Sequence, residues 1–215
     1  MLTPTLPPPF PLSWGFSTRE DPDSVLPPVR LRQIHGREVV PADDRIQDAD
    51  GLWTMTPGLA IGVRVADCVP VLLAGSAAGR PWAAALHAGW RGTLAGILAR
   101  GVAVFAELGG RPEDLTWALG PAILKCHFEV GEEVVAAARM DPAWREDLRQ
   151  PGPRGRPHLD LHGLLRAQAL ALGLDPARDG SVAVCTCCRP DLLYSYRLGD
   201  RHGELARQWG WLRID

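Results

Sequence analysis

Apolar and polar positions change period several times along the chain, and each change marks an element. Leu12–Phe16 is a first apolar stretch, and Val29–His35, after Pro27 and Pro28, is a second. Asp43–Asp50 reads as an acidic loop. Leu59–Val65, Val69–Ala74 and Trp82–His87 are short apolar runs of strand character, the first two rich in β-branched residues. Residues 93–108 carry helical spacing, with Thr93 as N-cap and Gly109–Gly110 as a stop. Leu115–Ile123 predicts a strand and Gly131–Met140 a short helix. The Pro-, Gly- and Arg-rich residues 141–157 read as a surface loop. Leu159–Leu161 predicts a strand, and Leu164–Leu172 a helix ended by Gly173. Ser181–Cys187, Leu192–Leu198 and Trp211–Ile214 predict three further strands. Strands and helices mix without a strict βαβ rhythm. That favours a mixed-sheet α/β domain of α+β type over a doubly wound sheet.

Length narrows this to one domain over residues 1–215, with the proline-rich residues 1–12 as an extended arm. A net charge of −2 leaves no footprint for nucleic acid or an anionic membrane. No apolar run is long enough to span a bilayer, and the N-terminus lacks the basic start and apolar centre of a secretory signal. The five cysteines are odd in number and three are crowded, unlike a disulfide framework. A reducing, cytoplasmic setting is expected. Neither GxGxxG nor GxxxxGK[ST] occurs, so neither standard nucleotide loop is supported.

Three reactive side chains stand at expected strand ends beside turn residues. They are His35 in Gln-Ile-His-Gly, Cys68 in Ala-Asp-Cys-Val-Pro and His87 in His-Ala-Gly-Trp-Arg-Gly. Two imidazoles and a thiolate suit zinc and leave a fourth position for water or substrate. The same set suits copper. A reading without metal takes Cys68 as a nucleophile, His87 as its base and Asp67 as orienter. Cys185, Cys187 and Cys188 form a second candidate, with Cys185 and Cys187 on one strand face; a packed strand end is the plainer reading. Cys126, near Glu129, fits either packing or a substrate pocket. Arg19, Arg64 and Arg91 suit anions, and Arg91 precedes Gly92 at a helix start. His158, His162 and His202 read as surface or loop residues.

At these motifs the sequence resembles the laccase-domain family, whose members are described as polyphenol oxidase, purine nucleoside phosphorylase or peptidoglycan-editing factor. The matching segments are FSTR (16–19), QIHGREVV (33–40), DADGLWT (48–54), GVRVADCVPVLL (62–73), AALHAGWRGT (84–93), GPAILKCHFEVGEEV (120–134) and CTCCRPDLLYSYRLGDRHGE (185–204). The resemblance implies a layered α/β/β/α sandwich and a zinc site made by His35, Cys68 and His87. It implies phosphorolysis of adenosine, inosine, guanosine and methylthioadenosine, together with deamination of adenosine. Glu129 or Asp67 would then move protons, and Arg19 or Arg91 would hold phosphate. The implied partners are a purine nucleoside and phosphate, acted on by a monomer or homodimer. Copper-dependent phenol oxidation and editing of peptidoglycan precursors by a Cys68/His87 hydrolase are the alternatives. A multicopper mechanism needs more histidine ligands than these contexts supply. The chain departs from the family pattern in a shortened segment at Glu20–Val29 and in the turn Arg197-Leu198-Gly199-Asp200.

Overall fold

Residues 69–88 form a long antiparallel hairpin whose alternate side chains serve two cores. It lies at the centre of a computed structural model that describes residues 1–21, 31–43, 45–199 and 207–215. In chain order the strands are β1 (Leu12–Phe16), β2 (Leu31–Arg32), β3 (Val39–Pro41), β4 (Gln47–Asp48), β5 (Gly51–Thr54), β6 (Ala60–Val65), β7 (Val69–Ala77), β8 (Arg80–Ala88), β9 (Thr116–Leu119), β10 (Arg149–Pro151), β11 (Pro157–Leu159) and β12 (Gln208–Ile214). The helices are α1 (Trp90–Ala95), α2 (Ile97–Glu107), α3 (Glu132–Ala138) and α4 (Leu161–Ala171). A five-stranded mixed sheet runs β3-β5-β8-β7-β9, and a three-stranded antiparallel sheet runs β1-β12-β6.

The period of two explains the layers. Val71 and Leu73 of β7, with Trp82 and Leu86 of β8, face a core shared with Ile97, Phe105, Leu164 and Leu165. That core joins the larger sheet to α2 and α4. Leu72, Ala74, Ala83, Ala85 and Ala118 face the other way, against Phe16, Ile61, Val63 and Leu212 of the smaller sheet. Small alanines on this face let the two sheets approach. The outcome is one mixed α/β domain that is not doubly wound, as the motif order predicts. Trp82 is fully buried against Phe105, with ring centroids 4.9 Å apart. Trp82→Ala is expected to cost about 3–5 kcal/mol, read from urea unfolding.

Several local expectations need correction. The helix over 93–108 is two helices, because Gly96 adopts a left-handed conformation (φ 89°) that ends α1 and starts α2. Thr93 is buried inside α1 and caps nothing. Of Val29–His35, only Leu31–Arg32 is a strand; residues 29 and 30 lie outside the described residues. Ser181–Cys187 is not a strand: residues 181–185 join the sheet through isolated bonds, such as Val182 N–H to the Leu119 carbonyl, and a turn follows over 186–188. Leu192–Leu198 is a series of turns, held by bonds such as Leu192 N–H to the Arg189 carbonyl. His158 and His162 are buried, not on the surface, and His158 Nδ1 donates to the Lys125 carbonyl oxygen. His202 lies outside the described residues. The proline-rich arm lies against the body, with Leu2 bridged to Phe16 and Thr5 N–H bonded to Gly180. Among the described residues, no helix is long and apolar enough to cross a membrane.

Candidate metal centre

Three chain segments end at one point. His35 follows β2, Cys68 sits in the link between β6 and β7, and His87 lies near the end of β8. By alternation His87 shares the face of Ala83 and Ala85, toward the gap between the sheets, where the β6–β7 link closes the end. One ligand atom from each of the three residues lies within 4.8 Å of the others. The imidazoles of His35 and His87 meet edge to face, centroids 4.8 Å apart. His87 is buried, Cys68 half-buried and His35 exposed, so the group opens outward on one side. The link is tight: a Cβ on Gly89 would sit 3.0 Å from Cys68 Sγ and 3.2 Å from His35 Cδ2.

Asp50 organises this convergence, and sequence reading missed it. Its side chain is fully buried at the start of β5. Its carboxylate accepts backbone N–H bonds from Ile34 (3.3 Å), His35 (2.9 Å) and Gly36 (2.6 Å). Successive amides converging on one anion form a cradle that holds His35 at φ 61°, uncommon for a residue with a side chain. The same carboxylate accepts a bond from His87 Nδ1 at 2.7 Å, which leaves Nε2 to face the ligand group. One buried acid therefore orients the His87 imidazole and fixes the backbone that carries His35. The only signal in the sequence was Asp-Gly at a strand start.

Charge distribution favours a thiolate. Burial pushes the Cys68 thiol up, but His87 and then His35 outweigh it and bring the pKa down to about 6. Burial pushes His87 down, but Cys68 and then Asp50 raise it to about 9. A thiol lowered this way contributes stability above its unfolded pKa and loses it as pH falls through about 6. The His87 contribution is present below its unfolded pKa and is lost as pH rises through about 9. In metal-stripped protein, alkylation of Cys68 is expected to rise with pH through about 6, with Cys68→Ser as the blank. A midpoint near the ordinary thiol value would mean that no ion pair forms.

The three residues open onto a cleft of about 880 Å³, within the size range of small-molecule sites. Its lining includes Arg32, Arg64, Asp67, Phe128, Tyr196 and Arg197. Asp67, held at φ 85°, accepts bonds from the Thr186 hydroxyl (2.6 Å) and the Arg197 amide (2.7 Å). Arg64 and Asp67 are thus brought together with the candidate ligands. Four other expected residues are not among the lining. Arg19 Nε donates to the Leu193 carbonyl, and its guanidinium lies 4.1 Å from the Tyr194 ring centre. Arg91 stacks on Trp90, 4.3 Å from the ring centre. Glu129 is paired with Arg154 at 2.9 Å, and that guanidinium holds its carboxyl below the usual range. Cys126 belongs to a different group, with His127, Cys185 and Cys188. Cys185 and Cys187 do not share a strand face; a turn over 186–188 sends Cys187 to Ser195 Oγ at 3.3 Å.

Comparison with known proteins agrees with this architecture. A purine nucleoside phosphorylase of Deinococcus radiodurans is 40% identical over 182 residues, spanning 84% of this chain and 67% of the relative. The adenosine deaminase RL5, from an unknown prokaryotic organism, is 34% identical over 196 residues, spanning 85% of this chain and 72% of the relative. The crystal structure of Neisseria meningitidis protein NMB0706 superposes with a TM-score of 0.77 at 28% identity, covering 100% of this chain and 98% of that one. The family model described as multi-copper polyphenol oxidoreductase laccase matches residues 23–214, and the chain belongs to that laccase-like family.

Proposed function

We propose that the protein is a zinc-dependent purine nucleoside phosphorylase for adenosine, inosine, guanosine and methylthioadenosine that also deaminates adenosine. One observation carries the reading: His35, Cys68 and His87 face a basic, aromatic-walled cleft, with Asp50 fixing the His87 imidazole and the backbone of His35. Two imidazoles and a thiolate match a catalytic zinc set with three protein ligands and an open position. Bound there, the metal supplies Lewis acidity at the floor of the cleft. The chain's own residues do the rest. Phe128 and Tyr196 line the cleft and supply aromatic surface for a purine. Arg64 and Arg197 suit the phosphate oxyanions. Asp67 is the carboxylate beside Cys68 that can carry a proton. Glu129, tied to Arg154, is poorly placed for that role.

The metal-free hydrolase reading keeps one observation in its favour, the lowered Cys68 thiol beside His87. A multicopper oxidase would need further imidazoles here. Among the described residues, the other metal-competent group contains a single histidine, His127.

Chromatography of adenosine incubations, with and without phosphate, tests the reading. Adenine formed only with phosphate, and inosine formed with or without it, are expected. Absence of both products would overturn it.

A further inference from the structure

Outside the cleft, Cys126, His127, Cys185 and Cys188 present four ligand atoms within 4.8 Å of one another. Cys126 Sγ is 3.8 Å from Cys188 Sγ. His127 Nδ1 is 3.3 Å from Cys126 Sγ, 3.7 Å from Cys185 Sγ and 3.5 Å from Cys188 Sγ. A sulfur pair at 3.8 Å is far beyond a disulfide bond, which is about 2.0 Å. It is instead close to the edge of a zinc tetrahedron. Zn–S bonds of about 2.3 Å and Zn–N bonds of about 2.0–2.1 Å give edges of about 3.8 Å between sulfurs and about 3.6 Å between sulfur and nitrogen.

The backbone builds this group deliberately. Cys185 and Cys188 are the ends of a C-x-x-C turn, closed by Cys188 N–H on the Cys185 carbonyl. Cys185 is bridged to Ala122, just upstream of the turn that carries Cys126 and His127. His127 N–H bonds the Leu124 carbonyl and closes that second turn. Two segments more than fifty residues apart thus bring two ligands each. Cys187 takes no part, since it is buried against Ser195.

The geometry points to a second zinc site, structural and closed, made by Cys126, His127, Cys185 and Cys188. Four protein ligands leave no open position, which is the mark of a structural rather than a catalytic site. Its ligands are also joined to the wall of the cleft. Thr186, inside the C-x-x-C turn, donates to Asp67, and Ile123 N–H bonds the Asp67 carbonyl. Zinc at this point would clamp together the two segments that hold Asp67, the neighbour of Cys68. The inference does not depend on the activity proposed above.

The test uses the full chain, reduced, stripped by a chelator and titrated with zinc alone. Cys68→Ser, which keeps only the second site, is expected to take up one equivalent, and wild type two if the cleft also holds zinc. On that condition Cys188→Ser is expected to take up one as well; Cys188 is exposed, so serine is tolerated there. In the Cys68→Ser chain, zinc is expected to protect Cys126, Cys185 and Cys188 from alkylation, mapped by mass spectrometry. Zinc uptake of zero by Cys68→Ser would overturn the site. So would equal labelling of Cys126 and Cys188 with and without zinc, or a Cys126–Cys188 disulfide in place of bound metal.

Discussion

His35→Ala is expected to leave a folded protein that neither holds metal in the cleft nor turns over adenosine. His35 is exposed and follows a two-residue strand, so its side chain contributes little to either core. Its imidazole is nevertheless one of the three candidate ligands that meet at the cleft among the described residues. Losing a ligand should weaken binding by more than the roughly 10–100-fold that removing an outer hydrogen-bond partner costs. The variant also separates two mechanisms. In a metal-free Cys68/His87 hydrolase, His35 only helps to lower the Cys68 thiol, so its loss should reduce activity without abolishing it. Replacing Cys68 cannot make that distinction, because a ligand and a nucleophile are lost alike. Metal content by elemental analysis, near-ultraviolet circular dichroism and adenosine turnover on one preparation decide the matter.

Asp50→Ala should have the largest effect on the fold around the site. The substitution strands three backbone amides and His87 Nδ1, all served by one buried carboxylate. Breaking such a buried charged pair by removing one partner costs about 3–5 kcal/mol. Asp50→Asn keeps the shape and one acceptor oxygen. Its NH2 faces two of the four donors, so it is expected to be destabilised, though less than Asp50→Ala, while zinc affinity falls about 10–100-fold. Urea unfolding and chelator competition measure the two effects separately. Equal metal affinity in Asp50→Asn and wild type would show that the carboxylate does not position the two histidines as ligands.

The site was partly legible because its ligands carry local marks. His35 and His87 have glycine close behind them, and Cys68 sits in Asp-Cys-Val-Pro, all at strand ends that hydrophobic alternation locates. That they meet came from family resemblance, since nothing local encodes distance in space. Asp50 escaped notice because three of its partners are amides 14 to 16 residues away, which carry no residue-type signal, and the fourth, His87, is 37 residues off. His127 escaped for a similar reason. It becomes a ligand only when a turn some sixty residues downstream folds against it. Arg19, Arg91 and Glu129 had suitable chemistry, but side-chain direction is set by neighbours such as Tyr194, Trp90 and Arg154. In the fold, β7 and β8 were legible because their apolar runs are continuous and bounded by turns. The division of α1 from α2 was not, because helical spacing continues across Gly96.

The central claim is that His35, Cys68 and His87 act through a bound metal. Its most direct test is adenosine turnover before chelation, after chelation, and after zinc is returned to the same protein. The expected result is loss of turnover on stripping and recovery with zinc. Undiminished turnover in the stripped protein would contradict it.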